Sequence, residues 1–274
     1  MTPIPFLKMH GLGNDFVVVD TRESATVFDD ALVQHVGDRH RGVGFDQFIT
    51  IEPPRSAGAT VFMGIRNPDG SHSGACGNAT RCVADLLMRE QNVDRVVIET
   101  ISGLLPSQRG SDGLITVDMG APQLDWQHIP LAHPHDTLHL PLTVGPLADP
   151  VAVNMGNPHA VFFVPAVQAI ALAELGPVVE HHPLFPARTN VDVVEVLSPT
   201  HLRLRVWERG AGITLACGSG ACATLVAAVR RGVCERRATL TLDGGDLFIH
   251  WRDSDDHVLM TGPVATSFRG EFAL

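Results

Sequence analysis

The chain has almost no lysine: Lys8 is the only one in 274 residues. Schiff-base chemistry needs a placed lysine amine, so a pyridoxal-type enzyme would rest on Lys8 alone. Cysteine is sparse and odd in number, with Cys76, Cys82, Cys217, Cys222 and Cys234, which argues against a disulfide framework. No block of like charge occurs, and the formal net charge is −10. A nucleic-acid-binding protein would show a basic stripe, so that class is excluded. Small anionic ligands are not, because one local arginine can hold a carboxylate in an acidic protein. No long uninterrupted apolar run exists either. The most apolar stretch, "AVFFVPAVQAIALAELGPVV", is broken by Pro165, Gln168, Glu174 and Gly176. It reads as a strand followed by a helix opened by Pro165, not as a membrane span. The opening "MTPIPFLKMHGLGNDF" lacks the basic and apolar regions of a signal peptide. A cytoplasmic chain with no membrane partner is expected, in which the sequon Asn78-Ala79-Thr80 carries no glycan.

What is present is a repeat. "SGACGNATRCVADLLMRE" at 73–90 and "ITLACGSGACATLVAAVRRG" at 213–232 each set a cysteine among small residues, then a second cysteine, then a helical run. Cys76 and Cys217 lie about half the chain apart. Three other motifs recur in the same order. "GNDFVVVD" carries Asn14 and "GNPHAVFFV" carries Asn157; "FDQF" carries Gln47 and "RTNVDVV" carries Asn190; "RNPDGS" carries Asn67 and "WERGAG" carries Glu208. Helical spacing follows each cysteine (Val83, Leu86, Leu87; Ala221, Leu225, Ala228, Val229), with Gly232 as a stop. Strand candidates rich in Val and Ile include "FVVVD", "RVVIET", "LITVDMG", "AVFFV", "VDVVEV", "LRLRVWE", "ATLTLDG", "LFIHWR" and "HVLMTG". The expected class is α+β: two pseudo-symmetric domains, each a β-rich layer wrapped around a central α-helix. The expected halves are 1–118 and 119–262, with 263–274 able to return to the first.

A cysteine at a helix N-terminus sits beside backbone N–H groups and the positive dipole end, which lower a thiol pKa and bind a carboxylate. Gly77 and Gly218 let the backbone approach a ligand. Two such sites face to face would hold one carboxylate with a cysteine on each side of the adjacent carbon. That is what a racemase or epimerase needs: one thiolate removes the α-proton, one thiol returns a proton to the other face. Cysteine is also a common core residue, and small neighbours can mean only tight packing. Packing is the preferred reading of Cys82, Cys222 and Cys234; for Cys76 and Cys217 both readings stand on spacing alone.

The motifs "KMHGLGNDFVVVD", "NPDGSHSGACGNATRCVA", "MGNPHAVFFV", "RTNVDVVEV" and "ERGAGITLACGSGACA" together resemble the diaminopimelate epimerase family from residue 6 to near residue 262. The resemblance implies an isomerase without cofactor or metal that interconverts LL- and meso-2,6-diaminopimelate on the route to lysine and peptidoglycan. It implies a homodimer and a site in the cleft between two similar domains. Cys76 and Cys217 match the family's catalytic pair, and His159 and Glu208 match positions that assist catalysis. Asn14, Gln47, Asn67, Asn157, Asn190, Glu208 and Arg209 match side-chain binding positions; Gly77, Asn78, Gly218 and Ser219 match the backbone carboxylate site. Departures from the family pattern include His72 and Ala79 in the first cysteine loop, Ile213 before the second, and Phe268 where a tyrosine at the dimer contact is usual.

Other signals carry less. His128, His133, His135 and His139 lie among prolines without a Cys or carboxylate pair and read as a surface connection rather than a metal site. "GLGNDF" and "GVGFDQ" are not dinucleotide fingerprints. Two rival readings remain: an epimerase for a ring imino acid, which would not need Arg209, and an amino-acid-binding protein, which would not need reactive thiols.

Overall fold

The computed structural model describes residues 3–24 and 26–272. The ends of the expected first half, 1–2 and 273–274, and position 25 within it, lie outside the described residues. The chain divides into two compact units, Met1–Val117 with Gly262–Leu274, and Asp118–Thr261.

The first unit runs β1 (Ile4–Gly11), β2 (Asn14–Asp20), α1 (Asp30–Gly37), β3 (Gln47–Glu52), β4 (Val61–Arg66), α2 (Gly77–Gln91), β5 (Arg95–Thr100), β6 (Gly103–Arg109) and β7 (Ile115–Asp118). Leu12 and Gly13 turn β1 back into β2, both with positive φ (56° and 84°). That is the geometry a two-residue hairpin prefers, and it starts β2 at Asn14. Strands follow the order β7-β6-β5-β4-β3-β2-β1. The β2/β3 and β4/β5 pairs are parallel and the others antiparallel. Helix α2 packs on β1 and β2 from one flank and β5 and β6 from the other, so the sheet curls around it. It buries Ala79, Cys82, Val83, Leu87 and Met88.

The second unit contains a short hairpin, β8 (Thr143–Val144) and β9 (Leu147–Ala148), then β10 (Val151–Asn154), β11 (Pro158–Phe163), α3 (Leu172–Glu180), β12 (Asn190–Ser198), β13 (His201–Glu208), β14 (Gly212–Thr214), α4 (Gly218–Arg230), β15 (Arg237–Leu242), β16 (Gly245–Trp251) and β17 (Val258–Gly262). Its sheet runs β10-β11-β12-β13-β15-β16-β17, with β14 beside β13. The alternation of pairings repeats that of the first unit, with β11/β12 and β13/β15 parallel. Helix α4 packs on β10, β11, β12, β13, β15 and β16. The last strand, β18 (Ala265–Phe272), pairs antiparallel with β1 of the first unit. Phe268 lies on it, half exposed, with its ring 6.1 Å from that of Phe6.

The registers match as well. Phe16 of β2 pairs with Gln47 and Phe48 of β3 with Arg66; His159 of β11 pairs with Asn190 and Val191 of β12 with Trp207. Repeat positions found in the sequence therefore fall at equivalent strand ends. Gly232, the expected stop of α4, has φ 68° two residues past the last helical one. The helix expected at Pro165 does not begin there. Val167–Ala169 form a single 3-10 turn, tied by the Val167 N–H donating to Glu195 Oε2 at 3.0 Å, and α3 starts at Leu172. Among the described residues no helix is long and apolar enough to cross a membrane.

Candidate active site

Cys76 is the N-cap of α2, and its Sγ accepts the Ala79 N–H at 3.5 Å. Gly77 and Asn78 form the first turn, where backbone N–H groups have no acceptor within the helix. The Cys76 thiol points to Asn14 Oδ1 at 3.9 Å, and Asn78 Nδ2 donates to the same oxygen at 3.0 Å. Asn14 is held from behind, its Nδ2 donating to Asp46 Oδ2 at 2.8 Å. Asp46 also meets Arg39 at 2.7 Å, and Arg39 forks onto Asp15. Burial pushes the Asp46 carboxyl up, despite the Asn14 hydrogen bond, and the neighbouring Asp15 adds to the shift. At Asp15 burial also raises, but hydrogen bonds from Arg39 and Lys8 outweigh it and hold the carboxyl below the usual range. Lys8, the sole lysine, is buried against Asp15 and the Gly44 carbonyl. Gln47 and Asn67 form a second group at the adjoining ends of β3 and β4. Gln47 Nε2 donates to Asn67 Oδ1 at 3.4 Å, and Asn67 Nδ2 to Ser71 Oγ at 3.0 Å. Gln47 Oε1 is buried without a partner among the described residues.

The second unit repeats the plan with different chemistry. Cys217 is the N-cap of α4, with Gly218 and Ser219 in its first turn, and its Sγ accepts the Gly220 N–H at 3.4 Å. Ser219 Oγ lies 3.5 Å from that sulfur and 3.0 Å from His159 Nε2. His159 Nε2 is also 3.1 Å from Asn157 Oδ1, while Nδ1 is 2.7 Å from Asp192 Oδ2. Both His159 and Asp192 are fully buried. Burial raises the Asp192 carboxyl, and His159 pulls it part of the way back.

A third group presents Arg209. Asn190 donates from Nδ2 to the Pro158 carbonyl at 2.8 Å and accepts the Arg209 N–H on Oδ1 at 2.9 Å. The exposed Arg209 side chain donates to the Ala187 carbonyl at 2.9 Å. Glu208 Oε1 accepts the Thr214 hydroxyl at 2.5 Å.

One expectation needs correction. A helix N-terminus was expected to lower the cysteine pKa, yet burial pushes the Cys217 thiol well up, and the Glu208 and Asp192 charges add to it. The Ser219 hydroxyl and the Gly220 N–H pull back without winning. Burial here favours the thiol form of Cys217 over the thiolate.

The structure brings Asn14, Cys76 and Asn78 into one hydrogen-bonded group in the first unit. In the second it brings Asn157, His159, Cys217 and Ser219 together. Sequence reasoning overlooked Asp46 and Asp192, although each had a signal. Asp46 directly precedes the repeat residue Gln47, and Asp192 is an acid inside the apolar run "VDVV". Among the described residues no group of three or more His, Cys, Asp or Glu side chains could hold a metal ion. The His133 and His135 rings lie 5.7 Å apart, and His139 pairs with Asp149.

The sequence profile described as Diaminopimelate epimerase matches residues 6–124 and 151–267. The chain is 59% identical to a diaminopimelate epimerase of Rhodospirillum centenum over 98% of its own length and 92% of that protein. It is 56% identical to one of Acidiphilium cryptum, over 97% and 95%. Among solved structures it is similar to a hydroxyproline epimerase from Agrobacterium vitis with bound trans-4-hydroxy-L-proline, with TM-score 0.74 at 16% identity, covering 99% of this chain and 93% of that one. A Bacillus anthracis phenazine biosynthesis protein of the PhzF family gives TM-score 0.71 at 15% identity over all of both chains. At such identities these two show the fold alone.

Proposed function

This chain belongs to the diaminopimelate epimerase family, a family of isomerases, and from that premise we propose that it interconverts LL- and meso-2,6-diaminopimelate by a two-base thiol mechanism without a cofactor. The observation that carries the proposal is the doubled placement of a cysteine as the N-cap of a buried helix, Cys76 on α2 and Cys217 on α4. The reaction requires one thiolate to take the α-proton and one thiol to deliver a proton to the opposite face, and reversal exchanges the roles. First-turn N–H groups at Gly77, Asn78, Gly218 and Ser219 would stabilise the charge that develops on the substrate carboxylate. Glu208 accepts from the reacting ammonium group, and Arg209 pairs with the distal carboxylate as a planar fork. Asn14, Gln47, Asn67, Asn157 and Asn190 supply amides that both donate and accept, which suits a zwitterion. The proposal extends to a cytoplasmic homodimer serving lysine and peptidoglycan precursor synthesis, as the family resemblance implies.

The test is exchange in deuterated water. Purified, reduced protein is incubated with LL-diaminopimelate and, separately, with L-proline, and α-deuterium and stereochemistry are followed. Deuterium in diaminopimelate together with the meso isomer is expected. Exchange on proline alone would move the substrate to a ring imino acid, and exchange on neither would return the chain to the class of binding proteins.

A further inference from the structure

The two units differ at one pair of core positions. Phe16 and Ile49 hold in the first unit the register places that His159 and Asp192 hold in the second, and all four side chains are fully buried. The fold is therefore built at this place with an apolar pair in one unit and an ionisable pair in the other. Burying two ionisable groups is unfavourable unless their partners are well placed. Packing alone gives no reason for the second choice, since the first unit makes the same strand pair without it. What the ionisable pair adds is a connection to sulfur. In the first unit Asn78 bonds directly to Asn14 beside Cys76; in the second, Ser219 bonds to His159 beside Cys217.

We propose that Asp192 is a positioning residue for the reaction: it holds His159 with a proton on Nδ1, leaving Nε2 to take and return the Cys217 proton through the Ser219 hydroxyl. This rests on the two-base reading above and deepens it at one of the two bases. The chain of contacts is continuous: Sγ to Ser219 Oγ 3.5 Å, Oγ to Nε2 3.0 Å, Nδ1 to Asp192 Oδ2 2.7 Å. A carboxylate on Nδ1 fixes the tautomer of the ring. Both states of Nε2 then have a partner. When neutral, it accepts the Ser219 hydroxyl proton; when protonated, it donates to Asn157 Oδ1 at 3.1 Å. The transfer balances. The thiol proton passes to Oγ as the Oγ proton passes to Nε2, leaving a thiolate and an imidazolium held by the Asp192 carboxylate. Return to the thiol retraces the steps.

Within the second unit the charged groups acting on this sulfur are Glu208 from β13 and Asp192 from β12, with Ser219 and the Gly220 N–H from α4 itself; His159 from β11 reaches it through the Ser219 hydroxyl. The second Asp192 oxygen, Oδ1, is buried without a partner among the described residues. It lies against Gly220: a Cβ there would come within 2.7 Å of Oδ1 and 3.3 Å of Cys217 Sγ. Cys76 faces Asn14 in its own unit, a neutral amide that cannot accept a proton in this way. These neighbours of the two sulfurs thus differ in kind, an amide oxygen beside Cys76 and a hydroxyl bonded to an imidazole beside Cys217.

The experiment compares wild type with Asp192→Asn, an isosteric change. The pH dependence of Cys217 alkylation by iodoacetamide is followed peptide by peptide. The sign decides. Removing a negative charge near the sulfur would by itself make Cys217 ionise more easily and move the alkylation limb to lower pH. Loss of a correctly protonated His159 moves it the other way, and an upward shift of about one pH unit is expected. A downward shift, or none, would overturn the proposal. Should Asp192→Asn fail to fold, nitrogen-15 NMR of wild-type histidines, with His159 assigned by its loss in His159→Asn, serves instead. The proton of the neutral ring is expected on Nδ1 with Nε2 free to accept, and a neutral ring protonated on Nε2 instead would overturn it. Because both readouts are made on the resting protein, they stand apart from the deuterium test. Exchange without the alkylation shift sinks the role of Asp192 alone, and the shift without exchange sinks the substrate assignment alone.

Discussion

Asn14 and Asp46 are joined by a 2.8 Å hydrogen bond in which the amide Nδ2 donates to the carboxylate, and this turns the Asn14 oxygen toward Cys76. An amide has one donor end and one acceptor end, so fixing one fixes the other. Asp46→Ala removes the acceptor and frees the amide to rotate. The expected result is a loss of about tenfold in kcat/KM, the equivalent of one charge-assisted hydrogen bond at about 1.4 kcal/mol. Asp46→Asn keeps an acceptor and should retain most of the activity. Steady-state kinetics of the two variants check this, and full activity in Asp46→Ala would mean that Asn14 needs no support.

Gly220 shows how close α4 comes to the buried carboxylate. A Cβ at this position would meet Asp192 Oδ1 at 2.7 Å, nearer than ordinary contact allows. Gly220→Ala should therefore push Asp192 off His159 and cost about 1–3 kcal/mol by overpacking. Urea unfolding reads the stability loss, and a fall in kcat accompanying it is expected. An alanine variant as stable and active as wild type would show that the helix has room to shift.

Much of the architecture was legible from residue pattern, and the failures have physical reasons. The Val- and Ile-rich segments of β2, β5, β11 and β12 declare themselves because strands buried on one or both faces select β-branched residues. β4 and β6 do not, because Gly64 and Pro106 interrupt them. At Gly64 the Thr50 and Glu52 side chains fill the space a Cβ would take. The cysteine repeat was readable because helix N-caps leave a local trace of small and polar residues. Asp192 was not singled out, because its partner His159 is made a neighbour only by the parallel register of β11 and β12. Nor could composition reveal that burial would override the helix terminus at Cys217.

Glu180 anchors the turn that carries Arg209. Its Oε2 accepts the Trp207 indole N–H at 2.7 Å and its Oε1 the Gly210 N–H at 3.1 Å, and its side chain is almost fully buried. Glu180→Ala leaves two donors without their acceptor, a penalty of about 1–3 kcal/mol for each that stays buried. It also loosens the turn on both sides of the Arg209 backbone. A rise in KM for diaminopimelate larger than the fall in kcat is expected, because Arg209 is assigned to binding the distal head rather than to proton transfer. An effect confined to kcat would contradict that assignment.

The composition makes alkaline unfolding unusually readable. The chain has no tyrosine and one lysine, so few groups other than cysteine titrate between the ordinary thiol range and the arginines. Burial pushes the Cys82 thiol from 9.0 up to about 12. A pKa raised in the folded state gives stability that is fully present below the unfolded pKa and is lost as pH rises through the folded one. In the unfolded chain the Cys82 thiol ionises near its ordinary value, while in the fold it stays protonated, so the unfolded state gains from each step upward in pH. Stability should fall from about pH 9 with a contribution from Cys82 of about 1.4 kcal/mol per pH unit, levelling off as the folded pKa is reached. Cys217, raised in the same direction by burial, adds to the slope. Denaturant unfolding of wild type and Cys82→Ala between about pH 8 and 11, under reducing conditions, measures the difference. The alanine variant, less stable at neutral pH, should close the gap to wild type as pH rises. Parallel curves at all pH values would show that Cys82 ionises in the fold as readily as it does outside it.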